Sequence, residues 1–216
     1  MEQAIIDFII VVLGILFALF INKLNERRMH INRINNIMTI VIKDMENDIS
    51  AIDRGVKSVD LANTLKCKYL ESKDIADELL INCKMIPFHF NTFVPQSRGY
   101  NLLKDATVNF NFKNSDLITE ILHFYDGSLP HINSTQALIL NIISNNTEDI
   151  SKYSWYDSAI NYDSNSKDYL DYMRIDDFKH KLVYTQSIKN VFSGQMLLYR
   201  ERISKLLKMS IESDYK

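Results

Sequence analysis

The sequence predicts an all-α protein: an N-terminal transmembrane helix continuing into a helical stalk, then a cytoplasmic helical bundle. Three observations predict it. Glycine and proline supply only eight of the 216 residues, against roughly 12% in average proteins. Sandwiches and propellers use both residues at every corner. Apolar residues recur at intervals of three and four along most of the chain, the helical period. And eighteen residues near the N-terminus, Ala4 to Ile21, carry a single charge, Asp7.

The apolar stretch is the first element. Eighteen helical residues span about 27 Å, close to the hydrocarbon thickness of a bilayer. A secretory signal peptide has a basic leader and a small-residue cleavage site. Here the leader is Met1-Glu2-Gln3, and Asn22-Lys23-Leu24-Asn25 follows the stretch. The expectation is an uncleaved anchor over residues 1–24. Lys23, Arg27, Arg28 and Arg33 lie just after it and no lysine or arginine lies before it. The positive-inside rule places those four at the cytoplasmic face, against anionic headgroups.

One face of the anchor differs from the others. At 100° per residue, Asp7, Gly14, Ala18 and Asn25 fall within about 20° of one line. Gly14 and Ala18 form a small-xxx-small pair, which lets two helix backbones approach closely. A carboxylate on the same line faces a partner helix at lower cost than it faces lipid. This face is the expected site of membrane-helix packing, with a second copy or another membrane protein as partner.

Residues 25–72 are the expected stalk. Ile31, Ile34, Met38, Val41, Met45 and Ile52 repeat at a coiled-coil or bundle spacing, with a polar break at Asp48. Gly55 is the first expected kink or stop. Helical spacing resumes at Val59, Ala62, Leu65 and Tyr69.

Residues 73–216 are the expected bundle. A short helix is predicted over 74–83. A loop over 84–96 carries Pro87, Pro95 and three phenylalanines, Phe88, Phe90 and Phe93, expected to pack on the body. A short helix over 100–105 and a turn over 109–114 follow. Ser115 has N-cap chemistry for a helix ending at Gly127. Pro130 is expected to open the next helix, to about Tyr153. Residues 155–167 read as the longest loop, where Asp163, Asn165 and Asp168 only loosely match a calcium loop. The last helix runs from Ile175 to about Ile211, with Ser193-Gly194 a possible division. About six or seven helices are expected after the anchor.

The anchor motif, Asp7 to Glu26, reads DFIIVVLGILFALFINKLNE. It resembles the signature of an uncharacterised family of bacterial single-span membrane proteins. An acidic residue leads the span, followed by V-x-G-I-L-x-A-L-x-I-N-x-x-N-E, here Val12 to Glu26. A second, weaker match joins Tyr100 to a helix bearing Leu117, Ile121, Phe124 and Tyr125. The resemblance implies anchoring in a bacterial inner membrane and helical content. It implies no activity.

Site chemistry is sparse. The five glycines lie at least 28 residues apart, so no phosphate-cradling loop exists. A net charge of −2 gives no global attraction to nucleic acid. Cys67 and Cys83 lack a C-x-x-C partner, and the five histidines are scattered, so neither a disulfide framework nor a metal site is expected. No nucleophile–base motif is present. The expected function is that of a membrane-anchored, self-associating interaction or scaffold protein, without catalysis, cofactor or evident small-molecule substrate. The alternative is a subunit of an oligomeric ion- or proton-conducting complex that uses Asp7.

Overall fold

The computed structural model describes residues 2–108, 116–157 and 166–213, apart from the side chains of residues 2–11, 108 and 212–213. Every regular element among them is a helix: α1 (Glu2–Glu71), α2 (Asp77–Cys83), α3 (Arg98–Val108), α4 (Asp116–Ser151), α5 (Lys167–Tyr172) and α6 (Asp176–Ser213). The all-α prediction holds. The expected 109–114 turn, the Ser115 cap, and Asp163 and Asn165 lie outside the described residues.

Helix α1 runs 70 residues without interruption. Gly55 does not stop it. A lone glycine costs a helix interior only about 1 kcal/mol. The space beside it is filled: a Cβ at Gly55 would lie 3.4 Å from the end of the Met196 side chain. Pro130 likewise opens no helix but lies inside α4. It cannot donate to the carbonyl of Asp126 one turn back, yet the helix continues on both sides. Nor does Gly194 divide α6.

Among the described residues no helix is long and apolar enough to cross a membrane. The physical reason is local. A window starting at Val12 soon takes in Asn22, Lys23, Asn25, Glu26 and Arg27. The expected span begins earlier, at Ala4, where the side chains lie outside those described. The transmembrane character expected of α1 therefore has no support in the fold.

The chain divides into two compact units. The first is Met1–Asp44 with Ser97–Ser115. The second is Met45–Gln96 with Asp116–Lys216.

In the first unit, α1 buries Ile34, Ile37, Val41 and Asp44, and α3 buries Tyr100, Leu103 and Ala106. Gly99 sets their approach. A Cβ there would lie 2.6 Å from the Val41 nitrogen and 2.7 Å from its Cα. The Gly99 N–H donates to Asp44 Oδ2 at 2.8 Å. A buried carboxylate thus satisfies an amide in the first turn of α3, where the helix dipole favours negative charge. The buried stripe differs from the expected one in detail: Ile31 is exposed, and Ile37 replaces Met38 as a buried residue.

In the second unit, α4 packs on α6, and α2 packs on α5. Tyr69, Leu80, Cys83, Ile150, Tyr172, Met173, Phe178 and Leu182 form a continuous apolar cluster. Trp155 stacks on Tyr169 at 5.1 Å and on Tyr153 at 5.2 Å at its edge. The later part of α1 is tied to α6 by polar contacts. Asn63 and Asn190 exchange amide hydrogen bonds of 2.8 and 3.0 Å, and the Arg200 guanidinium pairs with Asp53. Asp48, expected as a break in the stripe, is 1% exposed and sits on the buried face.

Candidate functional site

The predicted packing and headgroup residues all lie on α1. From Val12 to Met29 every residue is exposed. Leu13, Ile15, Leu16, Phe17, Leu19 and Phe20 each leave more than half of their surface uncovered. Exposed apolar side chains that form a contiguous patch mark interaction sites. Gly14, Ala18 and Asn25 are exposed, and a Cβ at Gly14 would meet nothing within 4 Å. Lys23, Arg27, Arg28 and Arg33 are exposed on the same helix. The Asp7 side chain lies outside the described residues. The backbone of α1 thus carries the predicted residues on one continuous helix, and no other described element covers the residues from Val12 to Met29.

A second feature lies wholly within the second unit and was not expected. Residues 84–96, after α2, form a turn and then an irregular stretch. Such a segment satisfies few backbone groups by itself, so side chains must do it. Gln136 on α4 both accepts from the Phe93 N–H at 2.7 Å and donates to its carbonyl at 2.8 Å. Asn146 donates to the Pro87 carbonyl at 2.9 Å. Asp48 accepts from the Gln96 N–H at 2.9 Å and from the Tyr199 hydroxyl at 3.1 Å. Lys189 on α6 donates to the carbonyls of Ile86 and His89, each at 2.6 Å. The expectation that the phenylalanines pack on the body is met. Phe93 is buried, 5.8 Å from the Tyr199 ring, and Phe90 meets Phe192 edge-on at 5.3 Å.

This clamped segment forms one wall of a cleft of about 530 Å³. The opposing wall comes from α1, which presents small residues there: Ala51, Gly55, Ser58 and Ala62. Lys189 and Met196 of α6 complete the lining. Lys189 is 5% exposed. Burial disfavours its ammonium form and lowers its pKa to about 8. The cleft's other cationic or titratable residues are Arg54 and His89, both exposed at its rim, and no acidic side chain lines it.

Sequence reasoning missed this site. One signal was available: Leu182, Lys189, Phe192, Met196 and Tyr199 continue the buried face of α6, so a lysine there is on the inside. Its partners, carbonyls about a hundred residues earlier, carry no side-chain signature. Among the described residues, no group of histidine, cysteine and carboxylate side chains could hold a metal ion. Comparison with protein-family models, curated proteins and solved structures finds no match to this chain. The family resemblance of the anchor motif rests on those residues alone.

Proposed function

We propose that the protein is a single-pass, membrane-anchored interaction or scaffold protein, self-associating through its N-terminal helix. The observation that carries this reading is the uncovered apolar surface of α1 from Val12 to Leu24. Burying one large apolar side chain is worth roughly 1.5–3 kcal/mol, so this surface calls for an apolar environment. The eighteen-residue sequence from Ala4 to Ile21 supplies a span of the right length, and Lys23, Arg27, Arg28 and Arg33 supply its cytoplasmic flank. Gly14, Ala18 and Asn25, with Asp7 on the same line, supply the face on which a second copy packs. The body then works at the inner-membrane surface as a binding partner, without catalysis of its own.

Fractionation of the full chain tests the anchor. The expected result is a protein that stays with membranes after alkaline carbonate washing, and whose body is shielded from protease added outside spheroplasts. A wild-type chain released by carbonate would refute the anchor, and digestion of the body from outside would refute the orientation. Gly14→Leu is expected to lower self-association in a membrane reporter assay. An unchanged signal would remove Gly14 from the packing face.

A further inference from the structure

We propose that the cleft of the second unit binds an anionic amphiphile, a carboxylate carried on an apolar body, with Lys189 receiving the carboxylate. The first argument is charge. A lysine ammonium has three donors. Two of those of Lys189 go to neutral carbonyls, and among the described residues no carboxylate pairs with it. Other buried or half-buried charges here are balanced or bonded differently. Lys181 meets both Asp149 and Asp177, while Asp44 and Asp48 accept from N–H donors. A buried charge is stable when paired. The cleft holds a cation with one donor left over and no protein anion within its walls.

The second argument is shape and surface. The volume lies within the roughly 300–1,000 Å³ range of small-molecule sites, far larger than an inorganic anion needs. Val59, Ile86, Phe93 and Met196 give it a buried apolar lining. The edge-on contact of Phe90 with Phe192 and the clamps on the 86–96 backbone hold that lining in place. The third is the rim. Arg54 and His89 are its charged or titratable residues, so the approach for an anion is unopposed. A ligand with a carboxylate head and an apolar body fits all three; a neutral lipid-like molecule wastes the lysine, and a bare anion leaves the apolar lining unfilled.

Calorimetric titration of the detergent-solubilised full chain tests this with three probes: octanoate, octan-1-ol and inorganic phosphate. Octanoate is expected to bind saturably at one site. Octan-1-ol, equal in apolar length, is expected to bind about tenfold more weakly or worse, the worth of one charge-assisted hydrogen bond. Phosphate is expected not to compete. Lys189→Met removes the head contact and is expected to bring octanoate down to the octanol level. Because that variant also loses the clamp on Ile86 and His89, two others leave the lysine untouched. Gly55→Leu fills the cleft beside Met196 and is expected to abolish octanoate binding. Arg54→Glu, an exposed rim charge, is expected to weaken it several-fold. Equal binding of octanoate and octanol, phosphate binding as tight as octanoate, no binding of octanoate, or undiminished binding by Gly55→Leu each overturns the proposal.

Discussion

Replacing Gly99 by alanine adds one methyl group where α3 meets α1. In the native geometry that carbon would lie 2.6, 2.7 and 2.8 Å from the nitrogen, Cα and Cγ2 of Val41. Carbon contacts are favourable at about 3.5–4.0 Å, so the two helices must separate by roughly 1 Å. Two of the three atoms are backbone and cannot swing aside. Overpacking of this kind costs about 1–3 kcal/mol. The shift also lengthens the 2.8 Å bond from the Gly99 N–H to Asp44, and a buried acceptor left unsatisfied costs about 1–3 kcal/mol. Against this, alanine is favoured over glycine in a helix by about 1 kcal/mol. The net expectation is a loss of about 2–4 kcal/mol from the first unit. Native-state hydrogen exchange of the α3 amides in the full chain reads it as faster exchange by two to three decades. Gly127→Ala and Gly194→Ala provide the contrast, since a Cβ at either meets nothing within 4 Å. Each is expected to stabilise by about 0.5–1 kcal/mol. If Gly99→Ala stabilised the chain as these do, the close approach of α3 to Val41 would be wrong.

Three further outcomes follow from buried polar groups. Burial pushes the Cys83 thiol up to about 11, whereas Cys67 is exposed. A disulfide-exchange reagent at neutral pH is therefore expected to label one thiol per native chain and two after unfolding; rapid double labelling would contradict the burial. Asp48→Ala removes the acceptor of the Gln96 N–H and one of the partners of the Tyr199 hydroxyl, for an expected loss of about 2 kcal/mol in urea unfolding; a change under about 0.5 kcal/mol would show that this clamp is not used. Lys189 predicts a pH dependence. Its native pKa, about 8, lies below the ordinary 10.5, so between these values the unfolded chain holds a proton that the native chain has released. Stability therefore rises with pH across that window, by roughly 3 kcal/mol in full. Cys83 and the buried tyrosines, whose pKa values are raised, act in the opposite sense. The gain is thus read as the difference between wild type and Lys189→Met from pH 7.5 to 10; parallel curves would show that Lys189 is not desolvated.

Much of the fold was legible because helices are written locally. The absence of glycine and proline from Leu24 to Ile52 predicts a long helix, and α1 is one. The irregular aromatic stretch was marked by Pro87 and Pro95 and is irregular. Helix ends were less legible. Gly55 and Pro130 are local stop signals of about 1 and 3 kcal/mol, and packing of α1 and α4 over many turns exceeds both. The site residues of the second unit were hardest to read. Asp48, Gln136, Asn146 and Lys189 occupy apolar positions of helical stripes because the backbone groups they satisfy belong to a distant loop. Nothing in the neighbourhood of Lys189 in sequence names Ile86 or His89. The reverse holds for the expected packing face of α1: its period and composition are plain in the sequence, while a helix surface that no described element covers shows no partner.

The first unit is discontinuous in sequence, and this shapes the order in which the chain is made. Its α1 portion ends at Asp44, and α3 begins only at Arg98. At 5–20 residues per second of synthesis, the stripe of Ile34, Ile37 and Val41 leaves the ribosome roughly 3–10 s before the helix that covers it. Closing the intervening segment of about 50 residues then costs roughly 3.5 kcal/mol of chain entropy before the Val41–Gly99 contact is made. During that interval a newborn chain presents a long apolar helix without its mate. The order of elements thus leaves that stripe uncovered until α3 has been made.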